Sequence, residues 1–135
     1  MHARNDHDLV ITDLDLQRLR PLLDIADSAA AELLDAELHR AAVVPHQVIG
    51  PDVVTMNSEV VYEDTATGLR RTVRVVYPDA ADASRGSISV LAPIGSALLG
   101  LRIGQRIEWP FPRGKRHLVV VEIPYQPEAH GHFHM

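Results

Sequence analysis

Apolar positions in the first third of the chain recur at intervals of three and four. Leu14, Leu16, Leu19, Leu22 and Leu23 form one stripe, and Leu33, Leu34, Leu38 and Ala41 or Ala42 form a second. Thr12-Asp-Leu-Asp15 reads as a capping box that starts the first helix, with acids where the helix dipole favours them. Pro21 falls inside the stripe and removes one backbone donor, so a kink or an early stop is expected there. Asp24-Ile-Ala-Asp27-Ser28 is turn-like, and Ser28 suits the N-cap of a second helix over Ala29–Ala42. Two short amphipathic helices joined by so few residues predict an antiparallel hairpin.

After the Pro- and Gly-bearing stretch Pro45–Asp52 the period changes from near four to two. Ser58–Asp64, Arg70–Tyr77, Ser87–Leu91, Arg106–Trp109 and His117–Tyr125 are β-rich runs bounded by Gly, Pro or Asp. Thr67-Gly68 and Arg113-Gly114 supply hairpin turns. In the second run Thr72, Arg74 and Val76 alternate with Val73, Val75 and Tyr77, which predicts one buried and one wet face. A single helix, Pro93–Leu99, is expected among the strands, opened by its proline and closed by Gly100. The fold class is therefore α+β: a helical hairpin followed by an antiparallel sheet packed on one short helix. The organisation expected is 9–44 hairpin, 45–52 linker, 53–129 C-terminal domain and 130–135 His-rich tail.

Composition narrows the function. No cysteine is present, which removes disulfides, thiol nucleophiles and Cys-ligated zinc. No apolar run approaches the ~20 residues needed to cross a bilayer, and the N-terminus lacks the apolar region of a signal peptide. A soluble cytoplasmic protein with no membrane partner is expected. The net charge of −5 lies wholly in residues 1–50, which hold four Arg against nine Asp and Glu; the remainder is balanced. That distribution argues against duplex DNA as a direct partner, because phosphate neutralisation drives such binding. Neither a G-x-x-x-x-G-K-[ST] loop nor a G-x-G-x-x-G occurs, so no kinase chemistry is expected.

Ser87–Gly104 carries an S-x-x-(S/A)-P-x-(A/G)-x-A-L-(L/I)-G core followed by a glycine turn. With it the chain resembles the Gre family of RNA polymerase secondary-channel factors. Val53-Val-Thr-Met-Asn-Ser58, Val76-Tyr-Pro78, Ala92-Pro-Ile-Gly95, Ala97-Leu-Leu-Gly-Leu101, Tyr125-Gln-Pro-Glu128, Ala36-Glu-Leu38 and Arg40-Ala41 narrow the likeness to the branch of nucleoside diphosphate kinase regulators. The resemblance spans roughly residues 9–129. It implies a coiled-coil hairpin ahead of an FKBP-like domain that docks on the rim of the polymerase secondary channel.

By that resemblance the docking residues are Ser89, Leu91 and Pro93, with Leu91 standing where the cleavage factors often carry an acid. Those factors also hold a catalytic magnesium with two tip acids spaced Asp-x-x-Glu, and Asp24 and Asp27 have that spacing here. An arm of about 10–14 residues spans only ~15–21 Å, while the cleavage factors have arms more than twice as long. A non-enzymatic regulator is thus expected, one that occupies the channel entrance, competes with Gre cleavage factors and needs no cofactor. The alternatives are a regulator that contacts nucleoside diphosphate kinase without the polymerase, and a transcript-cleavage factor.

Arg70, Arg71, Arg74, Arg113, Lys115 and Arg116 flank the two turns as a candidate electropositive edge, which would meet nucleic acid only within the polymerase complex. With six aromatic residues in all, a prolyl isomerase pocket is not expected. His130-Gly-His-Phe-His134 could chelate a transition metal, but a terminal tract of this kind is not assigned as a functional metal site. A monomer is favoured.

Overall fold

The structure, a computed structural model, describes residues 9–133. The start of the N-terminal segment, residues 1–8, and His134 of the tail lie outside the described residues.

Strand β1 (Val10–Thr12) runs straight into helix α1 (Asp13–Ile25). Thr12 is the N-cap, its Oγ1 accepting the Asp15 N–H at 3.0 Å. Asp15, Leu19 and Leu23, four residues apart, form the buried face. The helix continues through Pro21, contrary to the expected early stop. Pro21 and Gln17 one turn earlier are both exposed, so the carbonyl that loses its donor faces water. Ser28 caps α2 (Ala29–Arg40) by accepting from the Ala31 N–H at 3.1 Å. Arg20 and Asp35 join the two helices through an ion pair of 2.6 Å.

The second helix ends before the expected Ala42. Ala42–Val44 instead forms strand β2, which pairs in parallel with β1, Ile11 opposite Val43. Two three-residue strands thus close the base of the hairpin. Nothing in their sequence marks them, because three residues are too few to display alternation.

The larger sheet holds β3 (Glu59–Asp64), β4 (Arg70–Val76), β5 (Ser87–Ser89), β6 (Arg106–Phe111) and β7 (Gly114–Tyr125) in the order β5-β4-β3-β7-β6. Its pairs are antiparallel except β4–β5, which is parallel, with Arg74 opposite Ser87. The expected wholly antiparallel sheet is corrected there. Between those strands the chain makes two short 3-10 turns, Pro78–Ala80 and Ala83–Arg85, rather than one tight hairpin, so it re-enters in the same direction. A further 3-10 turn, Pro127–His130, follows β7, so α3 (Pro93–Leu98) is not the only helical piece after β3. Gly68 takes φ +75° in the β3–β4 turn. The β6–β7 loop falls on Pro112-Arg113, with Gly114 already paired to Phe111, one residue earlier than expected.

Leu19, Leu23, Ala31, Leu34 and Leu38 from the two helices belong to one apolar cluster with Val60, Val75, Leu98, Trp109, Leu118 and Val120. The hairpin is therefore packed into the same core that backs the sheet. Among the described residues no helix is long and apolar enough to cross a membrane. Leu34 is fully buried at this junction. Leu34→Ala should cost about 2–5 kcal/mol and lower helix CD and Trp109 fluorescence transitions together; separate transitions would show that the hairpin melts on its own.

Candidate functional site

The segment expected to dock is a rigid corner. Ser89 Oγ accepts from the Leu91 N–H at 3.0 Å and the Ser89 carbonyl from the Ala92 N–H at 3.0 Å. Ala92 has the extended conformation of an N-cap, and Pro93 opens α3 in the first turn, where its missing donor does no harm. Gly95 lies so close to the Ser89 carbonyl and the Val90 backbone that any Cβ would collide with them. Helix and strand end are thereby locked at van der Waals contact.

Val90 is fully buried, whereas Leu91 and Pro93 are partly buried, Leu91 packing against the core as well. They line an apolar groove of about 360 Å³ with Ala29, Ala30 and Leu33 of α2 and with Phe111 at the end of β6. Ser28 borders the same groove, so the turn between α1 and α2 adjoins the Leu91–Pro93 corner. Asp24 and Asp27 are both exposed there, beside Ile25 at 82% exposure. Among the described residues no group of three or more His, Cys, Asp or Glu is arranged to hold a metal ion, so the two tip acids stand outside any such cluster. At 1.5 Å per residue, helices of 13 and 12 residues extend ~20 and ~18 Å.

The basic residues do not form one uniform edge. Arg116 lies 4.8 Å from the Phe111 ring centroid, at the groove's end, and bonds Asp64 at 3.1 Å. Arg71 and Arg116 both bear on the buried Tyr62, whose phenol is pushed up chiefly by burial. Arg70 is paired with Glu63 at 2.9 Å. Arg74, an odd number of residues from Arg71, projects from the opposite face. It donates to the Asn57 carbonyl at 2.8 Å and lies 5.0 Å from the Tyr125 ring centroid. Arg113 and Lys115 are exposed at the β6–β7 turn.

A second constellation was not anticipated. Val53–Ser58 acts as a hub: the Met56 N–H donates to Asp15 Oδ2 at 3.0 Å, the Asn57 N–H to the Val75 carbonyl at 2.6 Å, and Thr55 Oγ1 to Glu128 at 2.7 Å. Helix α1, the sheet and the chain after β7 meet at this point. Asp15 is 3% exposed, and burial pushes its carboxyl up to about 6, with the Glu128 charge adding to the shift and the Met56 N–H and Thr12 opposing it. Tyr77, nearby, has its phenol raised well above the usual range, first by burial and then by Asp15. Arg18, Pro21, Leu22, Tyr77, Pro78 and Asp79 line a neighbouring open cavity of about 510 Å³. The signal was present in two motifs, the capping box and Tyr125-Gln-Pro-Glu128, but their meeting is a tertiary event.

A locked strand-to-helix corner on a curled sheet, with two short helices beside it, is the arrangement these motifs build. Residues 49–125 match the family described as "Transcription elongation factor, GreA/GreB, C-term", and residues 8–44 match "Rnk N-terminus". The chain belongs to the GreA/GreB family. It is 43% identical over 129 residues to the regulator of nucleoside diphosphate kinase of Escherichia coli K12, covering 93% of this chain and 95% of that protein. It is 34% identical to the transcription elongation factor GreA of Solidesulfovibrio magneticus over 97 residues, 72% of this chain but 59% of that protein. A solved GreA/GreB structure from Nitrosomonas europaea superposes with a TM-score of 0.72 at 43% identity, covering 87% of this chain and 98% of that one.

The Asp15 shift fixes a pH dependence. Its folded value, about 6, lies above the ordinary 3.8, so its favourable contribution is complete below about pH 4 and is lost as the pH rises through 6. Asp15→Asn keeps an acceptor for the Met56 N–H without the buried charge. The variant should gain stability over the parent between pH 4 and 6, levelling at on the order of 2–3 kcal/mol. Thermal melts from pH 4 to 8 measure this, and a pH-independent difference would contradict the assignment.

Proposed function

We propose that the protein is a non-enzymatic transcription regulator of the cytoplasm. It binds RNA polymerase as a monomer at the secondary-channel entrance and competes with Gre cleavage factors for that position. On this reading the curled sheet with α3 is the family's FKBP-like docking domain and α1–α2 a short coiled-coil hairpin. Ser89 holds the corner, while Leu91 and Pro93 present apolar surface to the polymerase.

The observation that carries the reading is the groove beside Leu91 and Pro93, in a chain of the GreA/GreB family. A partly exposed apolar residue on a locked corner binds without the entropic cost of ordering a loop. The hairpin supports the rest. A reach of ~20 Å is less than half that of the cleavage factors, and the GreA relative has about two fifths of its length outside the match. Asp24 and Asp27 then stop short of the polymerase active centre and take no part in holding magnesium. The electropositive side chains would face nucleic acid only inside the assembled complex.

A second reading follows from the name of the Escherichia coli relative: direct contact with nucleoside diphosphate kinase and none with the polymerase. Pull-down on core RNA polymerase and on the kinase separates the two. Polymerase should be retained and displaced by a Gre factor. Leu91→Lys should weaken retention at least tenfold, whereas Asp24→Asn/Asp27→Asn should leave it within twofold. Capture of the kinase alone would favour the second reading, and RNA hydrolysis in backtracked complexes that depends on Asp27 would establish a cleavage factor.

A further inference from the structure

We infer that the groove beside Leu91 takes a segment of RNA polymerase in which an apolar side chain stands next to a carboxylate, and that Arg116 selects the carboxylate. The inference rests on the polymerase-docking reading and names what that same site recognises. The groove itself calls for an apolar occupant. Leu33, Leu91, Pro93, Pro110, Phe111 and Pro112 line its volume of about 360 Å³, and Ser28 adds a hydroxyl. Its prolines have no φ freedom to lose when a partner seats.

The chemistry changes at the β6–β7 end. Trp109 stands opposite Arg116 in the ladder and Phe111 opposite Gly114, so Arg116 lies diagonally across from Phe111 on the same face. Its guanidinium covers the Phe111 ring, 4.8 Å from the centroid, and Nε donates to Asp64 Oδ2 at 3.1 Å. Nη2 turns to the same oxygen, also at 3.1 Å. One oxygen thus holds one edge of the fork, and the Nη1–Nη2 edge is left for a second carboxylate, with the side chain 40% exposed. Such a held fork binds a carboxylate through two parallel bonds at little further cost in side-chain entropy.

Arg113 and Lys115 are exposed at the same turn with no ion pair among the described residues, so Asp64 does not cancel the local charge. At the α2 end the exposed charges are acidic, Asp27 and Glu32. The groove is therefore electrically polar from end to end, which directs the acid of the partner toward β6–β7. A nucleic acid suits this site less well. Arg70 is spent on Glu63, and Arg116 already covers a face of Phe111 on which a base would stack.

Retention of the full chain on core RNA polymerase free of nucleic acid tests the inference. Arg116→Gln should weaken it about fivefold and flatten its dependence on sodium chloride, a change that lost packing alone does not produce. Arg116→Lys, which keeps the charge but not the fork, should restore the salt dependence and only part of the affinity. Arg106→Gln, on the opposite face of β6, should behave as the parent. Lys115 is the sole lysine of the chain. A carbodiimide, which forms an amide between an amine and a neighbouring carboxylate and takes up the water as a urea, should therefore yield a cross-link from Lys115 to a polymerase acid, lost in Lys115→Arg. Weakening by Leu91→Lys with no effect of Arg116→Gln would overturn the inference and leave docking standing, whereas indifference to both would overturn docking itself. A defect of Arg116→Gln that appears only once nucleic acid is bound would assign the guanidinium to phosphate and overturn the inference as well.

Discussion

The helical hairpin exists because its apolar stripe is buried in the core that backs the sheet. Helices of 12 and 13 residues are marginal by themselves in water, even with a good cap at each start. Leu19, Leu23, Leu34 and Leu38 each gain roughly 1.5–3 kcal/mol from burial, and they find it against the cluster that includes Leu98 and Trp109. The parallel pair β1–β2 closes the base, and the Val10 N–H reaches the Gly100 carbonyl, so the hairpin is anchored at its root as well as along its face. The turn between α1 and α2 is thereby positioned beside the Leu91–Pro93 corner by packing.

The corner itself shows how the family motif acts. Ser89 closes a turn with its hydroxyl, and Gly95 permits contact between α3 and the end of β5. What they produce is a fixed position for Leu91 and Pro93 beside the first turn of α2. A groove assembled from α2, α3 and β6 requires all three in register, and the shared core supplies that register.

The polar interior follows the same logic at a cost. Asp15 could have remained a solvated first-turn acid. Packing α1 against Val53–Ser58 buries it beside Glu128, where only the Met56 N–H and Thr12 offset the lost hydration. Three distant segments are joined by this exchange, and its net contribution to stability falls as Asp15 ionises. Glu37 is buried as well and is paired with Arg40 on its own helix, whereas Arg70 and Arg116 meet acids on neighbouring strands and Arg74 lies along Tyr125.

Local chemistry was legible in the residues. Thr12 and Ser28 announce their helices, the Leu spacing identifies the buried face, period two marks the strands, and Pro93 starts α3, because each effect acts within about one turn of chain. Pro21 did not stop α1 because a proline's penalty depends on whether the freed carbonyl is buried, and here the residues around it are exposed. Long-range pairing was not legible. The β1–β2 ribbon, the parallel entry of β5, the burial of Asp15 and the partition of the arginines depend on segments tens of residues apart. The α+β class, the longer helices and strands and the family were readable from local pattern and motif. Only the tertiary structure decided that the hairpin shares the sheet's core and that Leu91 and Pro93 face a groove, because those outcomes come from packing between elements that no local pattern encodes.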